Sequence, residues 1–220
     1  MEATQTAVLR QPGPLAGRWN LAIISLAALL AVGFFAAFAV PYLRLDSQAL
    51  ARYMSRRGWL LVHVGSGAMA LLSGPVQLWL GVNRRAMRVH RWLGFTYVAS
   101  VALGSIAAFY LATHTELGWG FGAGISALGV AWIVTTALAI AAIRRGLIEQ
   151  HREWMIRSYV ATFAFVTFRA LFGTLQAAGI GTLQEQLAAC SWFCWAVPLL
   201  VTEVVLQGRR IFDARSSAAG

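Results

Sequence analysis

The chain has 220 residues, of which 59% are hydrophobic and only 12% are charged, and its formal net charge is +10. Its apolar residues fall into runs of about twenty, the length that an α-helix needs to cross a bilayer. This composition excludes an ordinary soluble domain and predicts an integral membrane protein whose surroundings are the lipid bilayer. No nucleic-acid partner is expected, because the basic residues stand in short segments between apolar runs and indicate topology.

Six apolar runs predict an all-α integral membrane bundle, with spans at 19–42, 59–82, 92–113, 119–143, 154–179 and 187–207. Residues 1–18 predict a loosely ordered cytoplasmic tail, residues 19–207 the six-helix membrane domain, and residues 208–220 a basic cytoplasmic tail. Pro41 is expected to end the first span. Between the first two spans, residues 44–57 place Leu50, Tyr53 and Met54 on one helical face and arginines elsewhere. This pattern predicts a short helix lying in the interface.

The arginines predict the orientation of the bundle, since six spans put both termini on one side. With the termini inside, twelve arginines fall in cytoplasmic segments, against four outside, which are Arg44, Arg52, Arg56 and Arg57. Cytoplasmic loops are enriched in basic residues, so both termini are expected in the cytoplasm. The basic residues are all arginine, which suggests a GC-rich bacterial genome and places the protein in a bacterial inner membrane.

Two stretches repeat one pattern of paired arginines followed by histidine, arginine and tryptophan: RRAMRVHRWLG from Arg84 and RRGLIEQHREW from Arg144. The topology puts His90 and His151 at the cytoplasmic ends of the third and fifth helices. Paired histidines on a helical bundle can ligate the iron of a b-type haem, with Arg91 and Arg152 beside its propionates. Two other interpretations stay open: contact with lipid phosphates or helix carbonyls, and proton or quinone chemistry.

Arg169 stands near the middle of the fifth span, where an arginine costs about 3 kcal/mol on insertion scales. It is therefore expected to face other helices or a polar cavity, on a polar stripe with Thr162, Gly173 and Gln176. His63 of the second span is the histidine expected to lie nearest in depth. The pair forms either a buried polar network that fixes helix packing or a site for a haem propionate, a quinone carbonyl or a carboxylate substrate.

Three smaller predictions concern charged, histidine and cysteine side chains. Arg157 and Glu203 share a depth on the fifth and sixth spans and should form an ion pair, because each would otherwise be a lone charge. Cys190 and Cys194 are packing residues, since a disulfide between them would strain the helix. His114 falls in the loop after the third span, roughly 36 Å along the helix from His90, and is a poor haem ligand.

Four runs carry a resemblance to a known family: HVGSGAMALLSGPVQLWLG from His63, HRWLGFTYV from His90, AWIVTTALAIAAIRR from Ala131 and HREWMIRSYVATFAFVTFRALF from His151. They resemble the bacterial membrane family called domain of unknown function 2306, over most of residues 61–172. The resemblance implies a membrane protein and no particular activity. A second similarity, to membrane b-type cytochromes, exists at the level of the fold and implies histidine-held haem.

These patterns favour a cytochrome b-like membrane electron-transfer protein with haem b as its cofactor and quinone or another membrane protein as partner. Its predicted cofactor-binding residues are His90, His151, His63, Arg91, Arg152 and Arg169, with His90 and His151 on the metal. Two other functions stay open. Glycine-rich helix faces suit a non-catalytic subunit or scaffold of a larger complex, and the Gly74-Pro75 break suits a small-molecule transporter. The sequence contains no P-loop, HExxH, nucleophile elbow or dinucleotide fingerprint.

Overall fold

The structure is a computed structural model that describes residues 14–45 and 55–218, with side chains over 21–45 and 55–211. Within those ranges the chain is helical apart from short turns, and it contains no strand. Six of its helices are long and apolar enough to cross a membrane. The predicted all-α, six-helix architecture is thereby confirmed.

The helices are longer than the apolar runs that predicted them. The first, α1, comprises Pro14–Phe34, a π-helical segment Phe35–Ala39 and a last turn Val40–Leu43, so it continues past Pro41. The others are α2 (Arg57–Asn83), α3 (Met87–Thr113), α4 (Trp119–Arg144), α5 (Ile148–Ala178) and α6 (Leu183–Ala218). The interfacial helix predicted at 44–57 falls mainly on residues 46–54, which lie outside the described residues.

Helices α2 to α6 form the bundle, and α1 lies outside it, mainly against α2. One end, named here the basic end, holds the turn from α2 to α3 and the turn from α4 to α5, with Arg84, Arg85 and Arg145. The other, named the opposite end, holds the turns from α3 to α4 and from α5 to α6. This alternation brings the beginnings of α3 and α5 to one end, as the sequence predicted for His90 and His151.

Helix α2 is joined to α5 at a proline. Pro75 has no N–H for the carbonyl of Leu71, one turn before it. The Tyr159 hydroxyl of α5 donates to that carbonyl at 3.1 Å. Gly74 makes the approach possible, since a Cβ there would lie 1.9 Å from the Tyr159 ring. Gly74 and Pro75 together therefore form the site on α2 against which the Tyr159 side chain packs.

Helices α4 and α6 also approach closely at small residues. A Cβ on Gly124 would lie 2.2 Å from the Ser191 Oγ, so only glycine permits this contact. Cys190 and Cys194 flank the same region, fully buried and with free thiols. Their role as packing residues is confirmed.

The predicted ion pair between α5 and α6 is present. Arg157 donates to the Oε2 of Glu203 from Nε at 2.9 Å and from Nη2 at 2.6 Å. Glu153 lies 3.6 Å from Arg157 Nη1, too far for a hydrogen bond, and accepts two hydrogen bonds from Arg210. The Arg157 guanidinium lies over the Trp154 ring, 4.6 Å from its centroid. The charges of α5 and α6 thus compensate one another near the basic end.

Candidate functional site

His90 and His151 both lie at the basic end, where α3 and α5 begin. Both residues are half-buried. The Nδ1 of His151 is 2.9 Å from the carbonyl oxygen of Ala139 on α4. Because a carbonyl only accepts, Nδ1 donates and carries the proton, which leaves Nε2 of the neutral ring with a free lone pair.

The His90 ring packs against Gly81 of α2, where a Cβ would come within 3.2 Å of the ring carbon Cε1. Its backbone carbonyl accepts a hydrogen bond from Gln77 at 3.0 Å. Its Nδ1 is buried and has no hydrogen-bond partner in the part of the chain that the structure describes. A buried nitrogen without a partner costs about 1–3 kcal/mol, so the His90 ring is less completely hydrogen-bonded than the His151 ring.

The arginines beside these histidines point outward. Arg91 and Arg152 are exposed, and Arg152 donates to Glu149 at 3.0 Å. Trp92 is 74% exposed, as expected for an anchor at the membrane interface. The basic end therefore offers guanidinium groups to an anionic group at its surface.

A second region is a cavity of about 600 Å³ at the opposite end. Residues of all six helices line it, and most of its wall is apolar and aromatic. Among the described residues, the charged and imidazole side chains in the lining are Arg56, His63, His114, Glu116 and Arg169. Ligand pockets of this kind have volumes of about 300–1,000 Å³ and few polar groups.

His63 and Arg169 both line this cavity, where His63 is half-buried and Arg169 is exposed rather than enclosed by helices. The Nδ1 of His63 is 3.1 Å from the Gly104 carbonyl oxygen, so its Nε2 is also an acceptor. The Arg169 guanidinium lies 5.2 Å from the centre of the Phe38 ring of α1. His114 lies at the end of α3 and hydrogen-bonds the Tyr110 carbonyl at 2.8 Å, in the turn where it was predicted.

The expected polar stripe on α5 does not line the cavity as a unit. Thr162 is fully buried, whereas Gly173 and Gln176 are exposed and absent from the lining. Equal spacing along a helix keeps residues on one face, but the neighbours of that face change along its length. Of the four residues, only Arg169 contributes to the cavity.

Thr162 belongs instead to a buried hydroxyl network that the sequence analysis missed. Its Oγ1 accepts from the Trp132 indole N–H at 2.8 Å and lies 2.7 Å from the Tyr97 hydroxyl. Ser158 lies 2.8 Å from the same hydroxyl and 2.7 Å from the Thr136 hydroxyl. The four-residue spacing of Ser158 and Thr162 inside an apolar span was the available signal. This network joins α3, α4 and α5 through polar side chains.

The family model of domain of unknown function 2306, described as a predicted membrane protein, matches residues 60–206. The chain belongs to this family. The match contains His63, His90, His151 and Arg169, and extends beyond the region in which the sequence motifs carried the resemblance. No curated protein and no solved structure matches the chain. In this member of the domain of unknown function 2306 family, Phe38 reaches Arg169 from α1, outside the matched range.

The donor set restricts which metal chemistry fits. Within the described residues, no group of three or more His, Cys, Asp or Glu side chains could hold a metal ion. Haem asks less of the protein, because the porphyrin supplies four ligands and the chain only the axial ones. Imidazole is a side chain that haem iron accepts as an axial ligand, and His90 and His151 both lie at the basic end.

Proposed function

We propose that this chain is a membrane electron-transfer protein that holds one b-type haem between His90 and His151. The observation that carries the proposal is the orientation of the His151 ring. His151 donates from Nδ1 to the Ala139 carbonyl, which leaves Nε2 as the nitrogen for a ligand. Proteins orient metal-binding histidines through such a bond from the second ring nitrogen. His90 lies near the beginning of α3 at the same end of the bundle, and its buried Nδ1 has no partner in the described part of the chain.

The helices that carry these rings are joined by the side chain of Tyr97, whose hydroxyl lies 2.8 Å from the Ser158 hydroxyl of α5. The two helices therefore stand about one aromatic side chain apart at this level. His90 and His151 lie on the same two helices, about two turns nearer the basic end.

Each residue then has a defined task. The Ala139 carbonyl would fix the orientation of His151 and increase the basicity of its Nε2. Arg91 and Arg152 would pair with the two propionates, because guanidinium and carboxylate groups form strong charge-assisted hydrogen bonds. When bound, haem would supply a one-electron redox couple. A quinone or another membrane protein would be the electron-transfer partner.

We also place the protein in a bacterial inner membrane with both termini in the cytoplasm. The distribution of arginines between the two sets of loops supports this orientation. His90 and His151 then lie near the cytoplasmic surface, and the cavity opens toward the outside.

A small-molecule transporter is the second candidate, because the cavity combines a membrane-embedded arginine with apolar walls. The two proposals differ in whether the purified protein absorbs visible light. Transport through that cavity needs no visible chromophore, whereas the haem proposal requires one.

The test is absorption spectroscopy of the purified chain, expressed with a haem precursor, for the wild type and single histidine variants. His90→Ala and His151→Ala should each abolish or strongly shift the haem band, because each removes an axial ligand. His114→Ala is the matched control, since its ring lies at the opposite end and should leave the spectrum unchanged. An unchanged spectrum in His151→Ala would exclude this haem site.

A further inference from the structure

The cavity at the opposite end is a site separate from the proposed haem site. We propose that it binds a single-chain amphiphile through its carboxylate, with Arg169 at the head group and the apolar walls around the hydrocarbon chain. The proposal does not depend on haem, because His63 and Arg169 lie about 10–14 Å inside the opposite end of the bundle by helix rise. The basic end holds the other two histidines, His90 and His151.

The first step is the charge of Arg169. In the described part of the chain, Arg169 takes part in no ion pair with a carboxylate, whereas Arg157 and Arg210 on the same pair of helices do. Its contact there is the Phe38 ring, 5.2 Å from the guanidinium carbon. A cation–π contact offsets only part of the cost of an arginine at this depth, and a guanidinium has five N–H donors to satisfy. A carboxylate would accept two of these hydrogen bonds as a bidentate pair.

The second step concerns how α1 shapes the wall of the cavity. The π-helical segment Phe35–Ala39 shifts the helix register just before Pro41, and both Phe35 and Phe38 line the cavity. π-Helical turns are rare and often occur at functional sites. With Phe165 and Trp132 on the other side, the cavity has aromatic walls on opposing helices. Such walls suit a hydrocarbon chain and reject a second charged group.

The third step is the choice of ligand class. A volume of about 600 Å³ holds one small ligand rather than a two-chain lipid. Arg169 is one planar fork, which pairs with the two oxygens of a carboxylate in a bidentate manner. His63 adds one acceptor, Nε2, because its Nδ1 is committed to Gly104. The cavity thus fits a fatty-acid-like carboxylate, with room for a hydroxyl near His63.

Arg56 and Glu116 add one positive and one negative charge to the lining of the cavity. Arg56 donates to the His114 carbonyl at 2.5 Å, which fixes one side of the rim. Glu116 lies in the same turn and is exposed. Asp46 lies outside the described residues, so the test below includes it as a rival partner for Arg169.

The test uses the full chain in phosphatidylcholine nanodiscs, with a dansyl-labelled undecanoic acid as probe and empty nanodiscs as the partition blank. Palmitate should displace the probe, whereas methyl palmitate should not, because it lacks the carboxylate. Arg169→Gln should weaken probe binding at least about tenfold, the loss expected for one charge-assisted pair. Arg169→Lys should recover part of it. Arg209→Gln, an exposed arginine of the basic end, is the matched control and should bind as the wild type does.

Four outcomes would overturn the proposal. Equal displacement by palmitate and its methyl ester would show that the head group is not recognised. Unchanged affinity in a folded Arg169→Gln protein would exclude Arg169 as its partner. Tighter binding in Asp46→Asn would identify Asp46 as the resident partner, with no need for a ligand. Stronger displacement by a single-chain phosphate lipid would replace the carboxylate with a phosphate. None of these readouts involves haem. A negative result here therefore does not bear on the proposed function, which the absorption spectrum tests separately.

Discussion

Arg157 is a buried charged side chain whose environment shows how this bundle tolerates charge. Its side chain is 8% exposed, and its partner Glu203 is 45% exposed. A buried ion pair contributes little net stability, but removing one partner leaves the other charge buried and uncompensated. Because Glu153 also lies 3.6 Å away, the loss of Glu203 would leave Arg157 with one weaker neighbour.

Glu203→Leu should therefore destabilise the chain by about 2 kcal/mol, somewhat less than the about 3–5 kcal/mol of a fully stranded buried charge. The measurement is unfolding by sodium dodecyl sulfate in mixed micelles, followed by circular dichroism. Glu149→Gln is the matched control, because it removes an exposed ion pair worth at most about 1 kcal/mol. If Arg157→Leu combined with Glu203→Leu is no more stable than Glu203→Leu alone, stranding of Arg157 is not the cause.

At the scale of the helices, the packing of α2 against α5 includes a close contact at Gly74. Gly74→Ala would place a Cβ 1.9 Å from the Tyr159 ring, so the ring must move and its hydrogen bond to Leu71 must break. We expect a loss of about 1–3 kcal/mol, typical of overpacking, measured by the same unfolding assay. Gly65→Ala on the same helix is the control, because nothing lies within 4 Å of a Cβ there. Equal effects of the two substitutions would refute a specific packing contact between Gly74 and the Tyr159 ring.

The membrane-spanning helices were predictable from the sequence because hydropathy shows directly how long each apolar run is. The spans were found, yet α3 begins at Met87 and α5 at Ile148, each well before the predicted start. Polar residues such as His90 and His151 continue a helix at the interface, where hydropathy no longer indicates it. The ion pair of Arg157 with Glu203 was predictable for a related reason, since two opposite charges at one depth have few other partners.

The rest of the site depended on contacts between residues far apart in sequence. Tyr97 and Ser158 are 61 positions apart, and no local pattern pairs them. The contact between Phe38 and Arg169 depends on where α1 packs against the bundle, which the sequence does not show. The π-helical segment of α1 has no recognisable sequence signature either. The cavity itself arises from how six helices diverge, which spacing along a single helix does not reveal.

At the scale of the whole molecule, the arginine distribution makes a prediction about orientation. Alkaline phosphatase fused after Gly181, in the turn from α5 to α6, should be active because the arginine distribution predicts that this turn lies outside. Green fluorescent protein fused after Gly146, at the basic end, should fluoresce because the same distribution predicts a cytoplasmic turn there. Fluorescence after Gly181 together with phosphatase activity after Gly146 would reverse the orientation and place the two histidines on the outer side.

The central claim is that two histidines at the basic end hold one haem. The most direct measurement is the haem content of the purified 23.8 kDa chain by the pyridine haemochrome assay, after expression with ample haem precursor. The predicted result is one b-type haem per chain, released without covalent attachment because the sequence has no CxxCH motif. A colourless protein that is folded and monodisperse, with no haem in the assay, would contradict the claim.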